Sequence, residues 1–445
     1  MRLTLLSLLV VIGSMAYAQD AEMSLEECVN LALENNLNIK RAELNLETAE
    51  ADLKEAEFSR YPDLNAGAGY QVNWGRSIDP TSNQFTTQRI NSFGLNSTSN
   101  VLLFNAFNIQ NSIEQSERIL SATQYDVEKS SNDVMLDVVT FYLNVIFNQE
   151  LVENARFQLQ STQEQLDRTK ILVESGTLPI SNELQLESQV ATNEVDLINA
   201  QNSLNLAILA LKQTMLLLAS EPLAVLRPEA DVELMDFSIS SDDVFIDAQT
   251  VLPEIKAADL RVRGAEYGYQ SSVARLYPSL TLTAGVSTNF SSAAKPFDPS
   301  FDNTTWTFGE QISDNLSQFV AVGLNIPIFN GYSGRLDVQR SKVAIQQAEV
   351  NAQEQRNFLR QTIETAYNDA IAASKSFEAA TSQVQALEET FRTVERQYNL
   401  GASNFTEYQV ASNNLFQARS DLTRTKFDYI FKKKLLDFYQ GNELF

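Results

Sequence analysis

The chain has 445 residues, with 57 acidic and 33 basic side chains and a formal net charge of −24. This acidic balance argues against a nucleic-acid partner, because nucleic-acid phosphates are bound by Lys and Arg. There is no histidine and Cys28 is the only cysteine, so zinc sites, internal disulfides and Cys/His nucleophile pairs are excluded. Chemistry by carboxylates alone stays open, but no compact acidic motif suggests it, so neither an enzyme nor a cofactor is indicated. Cys28 is interpreted as a small buried residue on a helix.

The first residues have the pattern of a secretory signal peptide. Arg2 precedes an apolar run from Leu3 to Ile12, and small residues follow up to Ala16-Tyr17-Ala18. We therefore predict a signal peptide over residues 1–18 and a mature chain that begins at Gln19. The apolar run is too short for a membrane-spanning helix, and no later segment has about 20 consecutive apolar residues.

Several short motifs occur twice in the same order, once in each half of the chain. They are Tyr61-Pro62 and Tyr277-Pro278, Phe104-Asn105 and Phe329-Asn330, and Gly176 and Gly401. A repeat of this length indicates a duplicated half of a protein rather than a short solenoid unit. We predict a first repeat over residues 19–217, a joining segment over 218–240 and a second repeat over 241–445.

The first repeat opens with helices and continues with strands. Ser24 and Glu27 form a capping-box pattern before a short helix, and a second helix is predicted up to Pro62. Apolar and polar residues then alternate over about 62–75 and again over about 90–104, which predicts two strands.

A helical hairpin is predicted to follow over about 105–217. There is no Gly or Pro from Asn105 to Ser175, and apolar residues recur every seven positions, a spacing that indicates coiled-coil packing. Gly176 stands where a helix C-terminus favours a left-handed residue, and Ser181 is predicted to cap the return helix.

The second repeat has the same predicted order of elements. They are a strand at about 278–290, a polar loop at about 291–313, a strand at about 316–329 and a helical hairpin at about 330–439. Gly401 marks the turn of this hairpin, and Thr406 is predicted to cap its return helix.

Each predicted strand has small or polar residues on one face and apolar residues on the other. A half-buried soluble sheet gives this pattern, and so does a membrane barrel with a wet lumen. The strands are longer than the usual strand of about 5 or 6 residues and long enough to cross a bilayer at a tilt. Because four strands cannot close a barrel, several chains would have to share one.

In these features the chain resembles the TolC family of outer-membrane efflux ducts. The resemblance is carried by the signal peptide, the doubled motifs, the entries to the long helices and the Gly-x-x-x-[Ile/Phe]-[Ser/Thr] hairpins. The entries are Phe104-Asn105-Ala106 and Phe329-Asn330-Gly331. The resemblance covers essentially the whole mature chain, and the order and double occurrence of the motifs are more specific than any single motif.

The resemblance implies a mixed α/β membrane protein, predominantly α-helical, with two internal structural repeats. Three chains would form a homotrimer, in which a 12-stranded outer-membrane β-barrel continues into a long periplasmic α-helical coiled-coil barrel. The partners implied are outer-membrane lipid, a periplasmic membrane-fusion adaptor and an inner-membrane pump or secretion ATPase. The duct itself would do no chemistry, need no cofactor and conduct substrates passively to the exterior.

The resemblance also implies a gate at the periplasmic end, near the second hairpin. In the family a tyrosine precedes the turn glycine, an arginine follows it, and two acidic residues open the return helix. Tyr398 matches the tyrosine and Glu407 the first acid, whereas Ser403 replaces the arginine and Val410 the second acid. We therefore predict one ring of Glu407 carboxylates that attracts cations. The alternatives are that Glu407 is an acid favoured by a helix N-terminus and that Tyr398 is a heptad core residue.

The hairpin turns are the predicted contacts for the adaptor, in addition to reversing the chain. The residues concerned are Gly176, Thr177, Leu178, Pro179, Gly401, Ala402, Ser403, Asn404 and Phe405.

One rival interpretation is a periplasmic coiled-coil adaptor or structural protein without its own pore, which would share the long helices. An adaptor would also show lipoyl-like sheet segments and usually an anchor, and neither is visible in the sequence. A passive porin is disfavoured because four strands are few and helix dominates. The residues name no transported substrate and fit drug efflux and type I protein secretion alike.

Overall fold

The structure, a computed structural model, describes residues 22–78, 83–87, 89–227, 240–294 and 306–442. The predicted signal peptide at 1–18 lies outside these residues, as does most of the predicted joining segment. Within the described ranges, no helix combines the length and the apolar character needed to cross a membrane.

The helices and strands occur in two similar series along the chain. The first comprises β1 (Glu22–Met23), α1 (Leu25–Asn35), α2 (Leu37–Phe58), β2 (Asn65–Asn73), β3 (Ser77–Ile78), β4 (Phe85–Thr86), β5 (Ile90–Phe104), α3 (Asn108–Glu174), α4 (Ile180–Thr214) and β6 (Ala224–Val225). The second comprises α5 (Ser241–Val251), α6 (Pro253–Ala274), β7 (Ser279–Ser291), α7 (Phe308–Asp314), β8 (Ser317–Asn325), α8 (Ser333–Asn399) and α9 (Phe405–Tyr439). α1 and α5 each have 11 residues, α2 and α6 each have 22, α3 and α8 each have 67, and α4 and α9 each have 35.

The strand predicted at 316–329 is shorter in the structure, because β8 ends at Asn325. Pro327 follows shortly and has no N–H to donate to a neighbouring strand. Gly331 and Tyr332 then take positive φ angles of 66° and 68°, which redirect the chain into α8.

The segment predicted as a polar loop over 291–313 contains a helix, so that prediction was wrong for its last residues. α7 begins at a capping box in which Thr307 and Glu310 bond to each other's backbone N–H groups. The ring centroid of Phe308 lies 5.6 Å from that of Phe93 and 5.2 Å from that of Phe290. These aromatic contacts with the sheet stabilise a helix whose polar composition resembles a loop.

The predicted caps of the two return helices were also wrong. α9 is capped by Asn404, whose side-chain oxygen accepts from the Glu407 N–H at 2.9 Å, while the Glu407 carboxylate accepts from the Asn404 N–H at 3.4 Å. At the start of α4 the N-cap is Pro179, which makes no side-chain bond. Ser181 and Thr406 are the second residues of α4 and α9. Each therefore lies inside the first helical turn, past the N-cap position.

Four of the strands form one antiparallel sheet in the order β2-β5-β7-β8. β5 pairs with β7 along most of its length, with a register shift between Leu102 and Phe104. β2 and β8 are the outer strands, and no other described strand pairs with their outer edges.

The chain divides into two compact units. One comprises Met1–Ala42, Val127–Pro253 and Arg356–Phe445, and the other comprises Glu43–Asp126 and Glu254–Gln355. The four-stranded sheet belongs to the second unit, and both helical hairpin turns belong to the first.

The core of the first unit gathers around α1 and α3. Cys28 is fully buried on α1, as predicted, and burial raises the pKa of its thiol to about 11. The heptad positions Val134, Val138 and Val145 of α3 are buried in the same cluster. The seven-residue spacing of the sequence therefore corresponds to a packed helix face.

Tyr142 joins the short parallel pair of β1 and β6 to this core. Its side chain is buried, and its hydroxyl lies 2.5 Å from the carbonyl oxygen of Leu226 and 3.3 Å from that of Met23. Two-residue strands have little stability of their own. The tyrosine therefore holds them in place, and the burial raises the pKa of its hydroxyl.

Candidate functional site

The four-stranded sheet has two chemically different faces. Residues paired directly across antiparallel strands point to the same side of a sheet, so the register assigns each strand residue to a face. The polar face includes Asn65, Gly67, Gly69 and Gln71 of β2, Ser92, Gly94, Asn96, Thr98, Asn100 and the apolar Leu102 of β5, Thr281, Thr283, Gly285, Ser287 and Asn289 of β7, and Ser317, Phe319, Ala321, Gly323 and Asn325 of β8.

The apolar face is the opposite side of the same strands. It carries Ala66, Ala68 and Tyr70 of β2, Phe93, Leu95 and Val101 of β5, Leu280, Leu282, Ala284, Val286 and Phe290 of β7, and Val320, Val322 and Leu324 of β8, with the polar residues Ser97, Ser99, Thr288 and Gln318 among them. Val320 is 74% exposed and Val322 is 63% exposed in the single chain. An apolar surface of this extent is covered by something other than water in a working protein.

An inner aromatic belt surrounds the end of the sheet where α3 and α8 begin. It consists of three ring pairs: Phe58 with Tyr61, Phe104 with Phe107, and Phe329 with Tyr332. Arg60 stacks over the Tyr61 ring at 5.9 Å, and Arg335 stacks over the Tyr332 ring at 5.4 Å. Exposed aromatic rings beside cations are typical of the boundary between lipid and water.

An outer aromatic belt lies towards the other end of the apolar face. Tyr70, Phe93 and Phe290 form one cross-strand row, and Phe308 of α7 packs on it. At roughly 3.3 Å per residue and a tilt of roughly 40°, the strand between Leu280 and Phe290 rises roughly 25 Å, the height of the apolar band of outer-membrane proteins.

Both long helices end in the same hydrogen-bonded turn. Gly176 has a φ of 76° and Gly401 has a φ of 74°. The turn bonds run from Gly176 N to Val173 O, Thr177 N to Leu172 O, Gly401 N to Tyr398 O and Ala402 N to Gln397 O, at 2.9, 2.9, 3.0 and 2.8 Å. A Cβ would meet no atom within 4 Å at either glycine, so the left-handed backbone, rather than space, favours glycine here.

Glu407 lies exposed in the first turn of α9. Its carboxylate accepts hydrogen bonds from the Ser403 hydroxyl and from the Asn404 N–H. These bonds, that from Ser403 first, hold the pKa of the carboxyl below its ordinary value of 4.5. In a single chain Glu407 therefore acts as a capping acid, which matches one of the two predicted roles.

Tyr398 lies in an aromatic cluster rather than at an open surface. Its ring centroid is 5.1 Å from that of Tyr408 and 6.2 Å from that of Phe405, and its buried hydroxyl has no hydrogen-bond partner among the described residues. Burial raises the pKa of the neighbouring Tyr408 to about 12. The contacts favour the core role of Tyr398 over a role at a gate.

The predicted adaptor contacts differ in exposure. Phe405 is 5% exposed within the cluster, so its ring is not presented at the tip. The other predicted residues are exposed or half-exposed: Gly176, Thr177, Leu178, Pro179, Gly401, Ala402, Ser403 and Asn404. Val410 and Glu407 line one cavity of about 490 Å³ beside the second turn.

Sequence reasoning missed a polar seam between the two hairpins of the first unit. Gln409 of α9 donates to Gln189 of α4 at 2.5 Å, Gln189 donates to Asn193 at 2.9 Å, and Asn193 donates to Thr162 of α3 at 2.8 Å. Polar residues at i and i+4 on each helix were the available signal, but only the packing of α3, α4 and α9 shows that they meet.

Among the described residues, no group of three or more His, Cys, Asp or Glu side chains could hold a metal ion. Exposed apolar strands between two aromatic belts are characteristic of outer-membrane proteins, and here they accompany two helices of 67 residues.

The sequence profile described as "Outer membrane efflux protein" matches residues 28–215 and again residues 247–430. The chain belongs to this family, which confirms the resemblance to TolC-type ducts and locates the protein in the outer membrane.

Curated relatives and solved structures agree with this assignment. The cation efflux system protein CusC of Escherichia coli O157:H7 is 26% identical over 417 residues, covering 88% of this chain and 80% of CusC. The toluene efflux pump outer membrane protein TtgC of Pseudomonas putida is 24% identical over 412 residues, covering 90% of this chain and 79% of TtgC. The outer membrane protein VceC of Vibrio cholerae shares the fold, with a TM-score of 0.76 at 15% identity, covering 95% of this chain and 97% of VceC. These relatives are channel and efflux proteins rather than enzymes.

Proposed function

We propose that three copies of this chain form the exit duct of an export system in the outer membrane. Each copy would contribute its four strands to one 12-stranded barrel, with the polar face towards the lumen and the apolar face towards lipid. The helices of the three copies would form a helical barrel in the periplasm.

The division of the sheet into two faces between aromatic belts carries this proposal. The free edges of β2 and β8 support sharing, because each leaves a row of backbone N–H and C=O groups without a described strand partner. Such groups cannot remain unpaired in lipid. Pairing β8 of one copy with β2 of the next satisfies both edges and closes the wall.

The two series of elements would be structural repeats of one ancestral half. Their equal helix lengths and the double match to one family support this. Each repeat would supply two strands and one helical hairpin, so one chain would act as two similar sectors of the duct.

The duct would conduct passively and receive substrates from a periplasmic adaptor and an inner-membrane pump or secretion ATPase. The names of CusC and TtgC cite cations and toluene, which are chemically unlike. The proposal therefore concerns the duct rather than its cargo. The rival role is an adaptor without a pore. It would not explain the exposed apolar face or the two aromatic belts of the sheet.

A matched pair of arginine substitutions on β8 tests the membrane wall. Val322→Arg places a cation on the apolar face, where an arginine costs about 2–4 kcal/mol at the bilayer midplane and less towards either interface. Ala321→Arg places the same cation on the polar face, where water is available. Outer-membrane fractions should contain heat-modifiable trimers of wild type and Ala321→Arg, and far fewer of Val322→Arg. Equal yields of the two variants would contradict the barrel and favour the adaptor.

We further propose that the exposed residues of the two hairpin turns contact the adaptor. Both turns combine a rigid left-handed glycine with exposed neighbours, so they present a fixed backbone at the end of each hairpin. Phe405 is assigned to packing because of its burial. In the same region, the three Glu407 carboxylates would form the predicted cation-attracting ring.

Asparagine at the turn glycines separates contact from folding. Asn tolerates the left-handed conformation, so Gly176→Asn and Gly401→Asn should keep the turn while adding a side chain at the tip. We expect normal amounts of trimer but reduced adaptor-dependent export and weaker cross-linking to the adaptor. Unchanged export by both variants would count against the contact.

A further inference from the structure

Phe319 is the one aromatic residue on the polar face of β2, β5, β7 and β8, all of which the structure describes. Its neighbours on β8 that share this face are Ser317, Ala321, Gly323 and Asn325. The side chain is 46% exposed, so one side of it is open. A large apolar ring among glycines and short polar side chains is unexpected on this surface.

Gly285 provides the position in which this ring lies. It is the direct cross-strand partner of Phe319, and a Cβ built at Gly285 would overlap Cε1 of the ring and lie 2.7 Å from Cζ. Gly285 does not adopt a positive φ, so its backbone would accept any residue. Glycine is needed because the ring lies across the strand at this point.

The surroundings leave the outer surface of the ring accessible. Next along this face, the Thr283 hydroxyl donates to the Asn100 side chain at 2.9 Å, so these polar groups satisfy each other. Packing an aromatic ring on a strand glycine stabilises a sheet without any ligand. That packing uses only one of the two faces of the Phe319 ring. The second surface is free to receive another flat apolar group.

We propose that Phe319, lying on Gly285, is a contact site for planar aromatic compounds passing through the duct. This inference rests on the proposed function, because it places the polar face in the lumen. Gly285 lies midway along β7, so a trimer would carry three such rings halfway through the barrel. A ring contact changes affinity by roughly threefold to tenfold, which is weak enough for the compound to leave again.

The test is block of ionic current through purified trimers in planar bilayers. In potassium chloride, ethidium serves as a planar aromatic cation, and tetramethylammonium serves as a cation without rings. We expect Phe319→Ala to raise the ethidium concentration for half-block by roughly threefold or more and to leave the effect of tetramethylammonium unchanged. Val322→Ala, a truncation on the apolar face of the same strand, should change neither.

A second substitution tests the position of the ring. Gly285→Ala should shift the ethidium block when Phe319 is present, because the new methyl group displaces the ring. It should have no effect in the Phe319→Ala background. If Phe319→Ala trimers fail to assemble, Phe319→Leu keeps the bulk without the ring and is expected to show the same loss of block.

The possible failures are distinct. Wild-type protein that forms no conducting pores would contradict the proposed function and this inference with it. Conducting pores in which ethidium block is the same with and without the Phe319 ring would overturn the contact site alone.

Discussion

Replacing Tyr142 with alanine should lower the free energy of unfolding of the first unit by about 4 kcal/mol. The substitution empties a buried space in the α1–α3 core and removes the hydroxyl that holds Leu226 and Met23. We expect a large drop in the guanidinium midpoint of the detergent-solubilised protein, measured by circular dichroism.

Tyr142→Phe is the matched control, because it keeps the ring and deletes only the hydroxyl. It should cost about 1 kcal/mol, the contribution of an ordinary hydrogen bond. Native-state hydrogen exchange should then show faster exchange at β1 and β6 while the rest of α3 is unchanged. A Tyr142→Ala midpoint equal to that of wild type would show that Tyr142 is not part of the stabilising core.

In the proposed trimeric duct, replacing Glu407 with glutamine should lower the cation-over-anion permeability ratio by roughly tenfold, because the carboxylates of the proposed ring lose their charge. The substitution keeps the shape of the side chain and its hydrogen bond from Ser403. Glu183→Gln removes the same charge from the first turn of α4 and is expected to have a much smaller effect. Equal effects of the two variants would contradict a specific ring at Glu407.

The pH dependence follows from the direction of the Glu407 pKa shift. The folded chain holds this pKa below the ordinary 4.5, so the capping interaction is fully present above about pH 4.5 and is lost as the pH falls through the lower folded value. Cation selectivity should therefore persist down to pH values below 4.5. A midpoint above 4.5 would instead mean that the carboxylates of the proposed ring repel one another more strongly than their caps stabilise them.

The regular elements of this protein follow closely from its sequence pattern. Alternation of period two identified the strands and the faces of Val320 and Val322, and glycines at Gly176 and Gly401 identified the helix ends. These signals are local, since each depends on residues a few positions apart. The assignment of a family rested on their order and repetition.

The features that sequence reasoning missed depend on contacts between distant residues. The pattern Thr307-x-x-Glu310 was a visible capping signal, but α7 also needs Phe93 and Phe290 beneath Phe308. Phe319 was not singled out from the sequence, because only the register with Gly285 shows that its ring lies across the neighbouring strand. The capping role of Asn404 was missed because Thr406, a residue type equally suited to a cap, stands two positions later.

The equal lengths of the paired helices restrict how this protein can change over evolution. α3 and α8 each have 67 residues, and their apolar positions recur every seven. An insertion of one residue in either helix would rotate every later apolar side chain by about 100° away from its neighbours. A viable change of length would add or remove whole heptads, and it would have to occur in both helices of the pair. Homologues should therefore differ in the lengths of these helices by multiples of seven, matched between the two halves of the chain.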